Sequence, residues 1–176
     1  MEDLRYPIGR FEAPAIINAE MRKRFINDIR YLPSLIELAV QDLDAHQLET
    51  PYRPGGWTVA QVVHHLADSH MNGFIRLKLA LTEDNPTIKP YREASWAELP
   101  DVQHTPVNIS VTLLHALHTR WVAVYEHMEA RDWDLTFFHP ENQASYTLSK
   151  HLANYAWHGL HHHAHIERLK EREGWK

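Results

Sequence analysis

Between residues 148 and 169 one apolar seam constrains the chain more than any other feature. Leu148, Leu152, Tyr155, Gly159, His162, Ile166 and Leu169 follow one another at steps of 4, 3, 4, 3, 4 and 3. Such steps repeat one face of an α-helix and no face of a β-strand. A helix with this seam must lay it against other helices, so the C-terminal part predicts a bundle rather than a sheet. One seam position is a histidine, and His158 stands four residues before it. Side chains at that spacing share a face, so both imidazoles can reach one ion. His151 and His165 flank the same face, whereas His161 points further round and His163 lies on the other side.

Three further segments have helical period. From about Ile16 to Leu43, Phe25, Ile29, Leu32, Leu35, Ile36 and Leu38 recur at three- and four-residue steps, with Pro33 expected to bend or interrupt the helix. Asp44 opens a short capped turn. The loop "TPYRPGGW" precedes Thr58, which with Gln61 forms a capping box. A helix then runs from Val59 to about Thr82 on a stripe of Val59, Val63, Leu66, Phe74, Leu77 and Leu81. A third spans about Ser110 to Ala130, with Leu114, Leu117, Trp121, Val124 and Met128 inward. The last starts near Thr147 or Leu148 and stops before Gly174, a natural C-terminal cap. Residues 83–108 hold four prolines and read as a long irregular connection with a short helix near Ser95 to Leu99. An extended pair is expected around Phe137 and Tyr146, and residues 1 to about 15 read as an extended arm. The expected fold is an all-α four-helix bundle with irregular connections, one domain over residues 1–176.

Composition closes off several chemistries. With no cysteine among 176 residues there is no thiolate ligand, disulfide or cysteine nucleophile, so a transition metal must take imidazole, carboxylate or water. A net charge of −5 argues against a nucleic-acid surface, and the cations of "MRKRFINDIR" read as a solvated helix face. No run approaches a membrane span, and "MEDLRYPIGRF" lacks a signal-peptide pattern, so the expected location is cytoplasmic. Gly159 stands where HExxH needs its glutamate, and P-loop, G-x-S-x-G and G-x-G-x-x-G patterns are missing. Glu-x-x-His pairs of the di-iron bundles are missing too.

Fifteen histidines are the compositional anomaly. The run at 158–165 is followed by the amphipathic "IERLKEREGWK" inside one periodic helix, which excludes a tag. Two imidazoles on one helix leave a metal site incomplete, since catalytic zinc takes three protein ligands and keeps one position open. "VVHHLADSH" offers His64, His65 and His70 on a second helix. His70 lies on the stripe, and His64 and His65 flank it on opposite sides, so periodicity alone does not choose between them.

The stretches "YPIG", "TPYRPGGWTVAQVVHHLADSHMNGFIRLKLALTE", "KPY", "FHP" and "WHGLHHHAHI" together resemble the DinB/YfiT-like family, in its branch of metal-dependent hydrolases. The resemblance spans nearly the whole chain and departs from the family pattern at Leu160 and His163. It implies a four-helix bundle, a homodimer, and one divalent metal per chain, zinc or nickel, held by His65, His158 and His162. Asp68, Tyr155 and His161 are the candidate supporting groups, and Arg53 is a candidate contact for an anionic substrate. The function implied is hydrolysis of a small molecule by a metal-activated nucleophile. Two alternatives stand beside it: S-transfer with a low-molecular-weight thiol such as bacillithiol, and a metal-binding bundle without chemistry.

Overall fold

Asn18 starts the first long helix: its Oδ1 accepts from the Met21 amide at 2.9 Å, satisfying one of the free N–H groups of a helix start. The computed structural model describes residues 2–175. A helical turn, α1 (Glu2–Arg5), replaces the start of the expected extended arm, and Gly9 closes a turn back onto the Tyr6 carbonyl. Then follow α2 (Ala19–Val40), α3 (Ala45–Leu48), α4 (Val59–Thr82), α5 (Glu93–Trp96), α6 (Pro100–His104) and α7 (Val107–Glu126). A 3₁₀ turn (Ala130–Asp134), a hairpin of β1 (Thr136–His139) and β2 (Ala144–Thr147), and α8 (Leu148–Glu173) complete the chain.

The caps fall where the side chains predict them. Thr58 and Gln61 exchange both bonds of a capping box, and Asp44 and Gln47 do the same for α3. Gln61 also donates to the Ala97 carbonyl and the Glu98 carboxylate, which anchors the proline-rich connection on the start of α4. That connection holds two short helices, α5 and α6, where one was expected. The hairpin pairs Phe137 with Tyr146, and Gly174 ends α8 in the left-handed conformation at φ 68°.

Of the bend or interruption expected at Pro33, the interruption is not found: α2 is continuous through it. Proline cannot donate to the carbonyl four residues back, that of Ile29. That carbonyl is met from another helix instead: His118 Nδ1 lies 2.6 Å from it. Leu38 also departs from the expected inward stripe and is 61% exposed, while Ala39 and Val40 are buried.

Helix α2 packs against α7 and α8, and α4 packs against the same two. The bundle therefore has α2 and α4 on one diagonal and α7 and α8 on the other. Two apolar clusters fill its interior. One gathers Ile29, Leu77, Trp121, Tyr125 and Leu152; the other gathers Leu32, Ile36, Leu66, Leu114 and Ile166. Along their helices, His70 of α4 and His158 and His162 of α8 fall between the residues given to one cluster and those given to the other. No helix among the described residues is long and apolar enough to cross a membrane.

Gly73 of α4 sets the spacing at that level. A Cβ there would strike the Tyr155 ring and come within 2.7 Å of Trp121. Glycine-to-alanine in an open helix interior stabilises by about 1 kcal/mol, whereas overpacking a core costs about 1–3 kcal/mol. Gly73→Ala is therefore expected to lower the Tm in thermal unfolding. A raised Tm would show that α4 and α8 do not pack this closely.

Candidate metal centre

The choice between His64 and His65 is made by what each ring faces. His64 turns to α7, its Nδ1 2.8 Å from the Ser110 hydroxyl. His65 turns to α8, its Nε2 3.2 Å from Nε2 of His158. His162 completes the group: His65, His158 and His162 each present a ring nitrogen, all within 4.8 Å of one another. Two nitrogens bound tetrahedrally at zinc distances of about 2.0–2.1 Å stand about 3.3 Å apart, so the separation of His65 and His158 fits two ligands of one ion. No carboxylate joins the group among the described residues, which leaves a three-imidazole donor set suited to zinc or nickel.

All three rings are held neutral, the form a metal needs. Burial pushes the His65 pKa down to about 4. Burial first, then the neighbouring imidazoles, hold His158 and His162 well below the ordinary value. His65 and His162 are buried, and His158 keeps partial contact with solvent. Trp57, from the Gly-Gly loop before α4, lies over His65 at 4.6 Å and faces His162 at 6.4 Å between ring centroids. A cavity of 360 Å³ opens beside His162. His161, His162 and His165 form one wall, Trp57 another, and Arg5 and Arg53 also line it.

The candidate supporting residues separate. Tyr155 sits edge-on to His158 with centroids 5.9 Å apart, and its hydroxyl donates to the Ser69 carbonyl at 3.2 Å. His161 stacks on Trp157 at 4.5 Å and lines the cavity with its Nδ1 buried and unpartnered. Asp68 is half-buried, its pKa raised to about 6 by burial and then by Asp101. No hydrogen bond joins its carboxyl to a triad imidazole among the described residues. Arg53 bonds the Pro54 carbonyl and the Tyr52 hydroxyl and lines the cavity.

The residues that do touch the triad from behind are histidines. His70 Nε2 lies 3.2 Å from His158 Nδ1, His118 Nε2 lies 2.9 Å from His70 Nδ1, and His165 Nδ1 lies 3.3 Å from His162 Nδ1. His118 was legible by the signal that marked His162. It falls four residues after Leu114 and three before Trp121, on the inward stripe of α7. Trp57 sits in a loop, where no periodicity points to its neighbours.

A four-helix bundle with three imidazoles from two helices converging beside a cavity defines the class, and comparison supplies the family. The chain belongs to the DinB superfamily, whose model matches residues 28–166. Proteins of Bacillus mycoides and Bacillus cereus, each named "Putative metal-dependent hydrolase", are 53% identical over 175 residues, covering 99% of this chain and 100% of theirs. The solved structure of YfiT from Bacillus subtilis, described as "a probable metal-dependent hydrolase with an unusual four-helix bundle topology", matches with a TM-score of 0.97. It is 44% identical and covers 99% of each chain.

Two predictions come from this geometry. One equivalent of zinc or nickel raises the Tm of the wild type, and His65→Ala, His158→Ala and His162→Ala each lose that shift while His64→Ala keeps it. Loss in His64→Ala with retention in His65→Ala would put the ion on the wrong face of α4. The second concerns His118 and His151, which are 1% and 3% exposed. Burial pushes their pKa values down to about 4 and about 3, while the unfolded chain protonates near 6.5. Below pH 6.5 the unfolded state then binds protons that the folded state does not. Stability falls by about 1.4 kcal/mol per pH unit per ring until the folded pKa is reached. The metal-free protein is expected to lose Tm steeply from pH 6.5 to 4.5; a flat Tm would show rings open to water.

Proposed function

We propose that this protein is a metal-dependent hydrolase of a small molecule, with His65, His158 and His162 holding one divalent cation, zinc or nickel. One observation carries the reading. The three nitrogens converge with no fourth His, Asp or Glu ligand among the described residues, and His162 takes part in the wall of a 360 Å³ cavity. A closed structural site would add a fourth ligand, whereas a reactive site keeps a position open. The names of the Bacillus relatives support the same reaction class.

A divalent cation held by neutral imidazoles supplies Lewis acidity, which brings the pKa of water or of a thiol toward neutrality. The chain's own groups shape what reaches it. Trp57 lies over two of the imidazoles and keeps bulk water from that side, which strengthens electrostatic interactions inside. Arg5 and Arg53 line the same cavity and favour a substrate with an anionic group. Tyr155, tied to the Ser69 carbonyl, blocks the face of the site toward the Trp121 cluster.

The test is turnover of a panel of chromogenic carboxylic esters, amides and phosphoesters, by the zinc- and nickel-loaded protein, with and without a small thiol. Hydrolysis of at least one class is expected, reduced about 10³-fold or more in His162→Ala. Equal turnover by His162→Ala would contradict the assignment. Release of the alcohol, amine or phenol only when thiol is supplied, with the acyl or phosphoryl group recovered on sulfur, would replace water by sulfur as the nucleophile.

A further inference from the structure

We propose that His70, His118 and His165 are positioning residues: through two backbone carbonyls they fix which ring nitrogen of His158 and of His162 carries the proton, so that both Nε2 atoms are bare toward the ion. The proposal rests on the triad as a metal site, but its first test is made without metal.

The first relay crosses all four long helices. It begins at the Ile29 carbonyl of α2, 2.6 Å from His118 Nδ1. A carbonyl only accepts, so His118 carries its proton on Nδ1 and, being neutral, has a lone pair on Nε2. His70 Nδ1, 2.9 Å from that lone pair, must therefore donate. His70 Nε2 is then the acceptor for His158 Nδ1 at 3.2 Å, and His158 Nε2, 3.2 Å from Nε2 of His65, is left without a proton. With every ring neutral, one fixed acceptor at the end allows a single assignment along the whole chain of rings. His70 and His118 are 0% and 1% exposed, and their ring planes are 4° apart with centroids 4.9 Å apart, the edge-to-edge arrangement that an in-plane N–H···N bond needs.

The second relay is shorter and runs the opposite tautomer through its outer ring. The Arg5 carbonyl lies 3.1 Å from His165 Nε2, so His165 donates there and keeps a lone pair on Nδ1. His162 Nδ1 lies 3.3 Å from it and must donate, which again leaves Nε2 bare. The ring of Tyr52 stacks on His165 at 3.9 Å and holds its orientation. The turn α1 thereby takes part in the centre through its backbone.

Pro33 belongs to the same device. It withholds the helical N–H that the Ile29 carbonyl would otherwise receive, so His118 meets that carbonyl without competition. An outer partner that fixes tautomer and ring direction typically accounts for 10–100-fold in metal affinity.

Long-range proton–nitrogen NMR of the metal-free wild type reads the tautomers directly. His70, His118, His158 and His162 are expected protonated on Nδ1, and His165 on Nε2. A proton on Nε2 of His158 or His162 overturns the proposal whether or not the protein has any enzymatic activity. The zinc Kd, measured against a competing chelator, reads the consequence. His118→Leu and His165→Leu remove an acceptor and should weaken zinc 10–100-fold. His118→Gln and His165→Asn place an amide oxygen near the lost lone pair and should restore affinity to within a few-fold. Leucine variants that bind zinc as tightly as the wild type overturn the proposal. If the leucine variants do not fold, the glutamine and asparagine variants and the wild-type tautomers still decide it. Failure of the hydrolysis reading alone, with zinc bound, leaves both measurements interpretable.

Discussion

A neutral imidazole sealed inside a bundle has one donor and one acceptor, and each must find a partner or cost about 1–3 kcal/mol. That requirement organises the middle of this protein. His151 meets it with the Gly73 carbonyl and the Tyr125 hydroxyl, a self-contained arrangement. His118, His70 and His158 meet it in series, and the series ends at His158 Nε2, whose neighbour is His65 Nε2 at 3.2 Å. His165 and His162 form a second series. The bare nitrogens that the relays leave on His158 and His162 fall together with a ring nitrogen of His65, in a group whose ring nitrogens lie within 4.8 Å of one another. A divalent cation is the partner that completes such a set.

The backbone was shaped to the same end. Gly73 and Gly159 are the two places where α4 and α8 carry no Cβ among the rings and Leu32, so the histidine-bearing helices approach their neighbours closely. Gly73 also lends its carbonyl to His151. Pro33 leaves a helical carbonyl open to a side chain from α7. Residues that weaken an isolated helix thus stand where the histidine layer needs proximity or an acceptor.

Most of the fold was legible because helices advertise themselves by period and cap. The seam of α8, the Thr58–Gln61 box, the Asp44 turn and the Phe137–Tyr146 pair all fall where their side chains put them. Leu38 deceived because a three-residue step from Leu35 fits the stripe locally, while the packing of α2 against α7 and α8 takes Ala39 and Val40 instead. Pro33 leaves α2 unbroken, and the partner that waits for the carbonyl it frees, His118, is out of reach of any local pattern. The His158–His162 pair was visible in the spacing. The choice of His65 over His64 was not, since both flank the stripe at similar angles and only the facing helix separates them. Asp68 was a candidate supporting group, yet helical period says nothing of which way a half-buried carboxylate turns. His165 stands one turn from His162 on α8, but the other members of the two relays come from α1, α2, α4 and α7, at sequence distances no local pattern links.

The central claim is that imidazoles from two helices hold one ion and leave it open to a nucleophile. X-ray absorption at the metal edge of the zinc-loaded protein tests it most directly. The account predicts one ion per chain, three imidazole nitrogens at about 2.0–2.1 Å, and the remaining coordination filled by exchangeable solvent. Four protein ligands around the zinc, or fewer than three imidazoles, would contradict it.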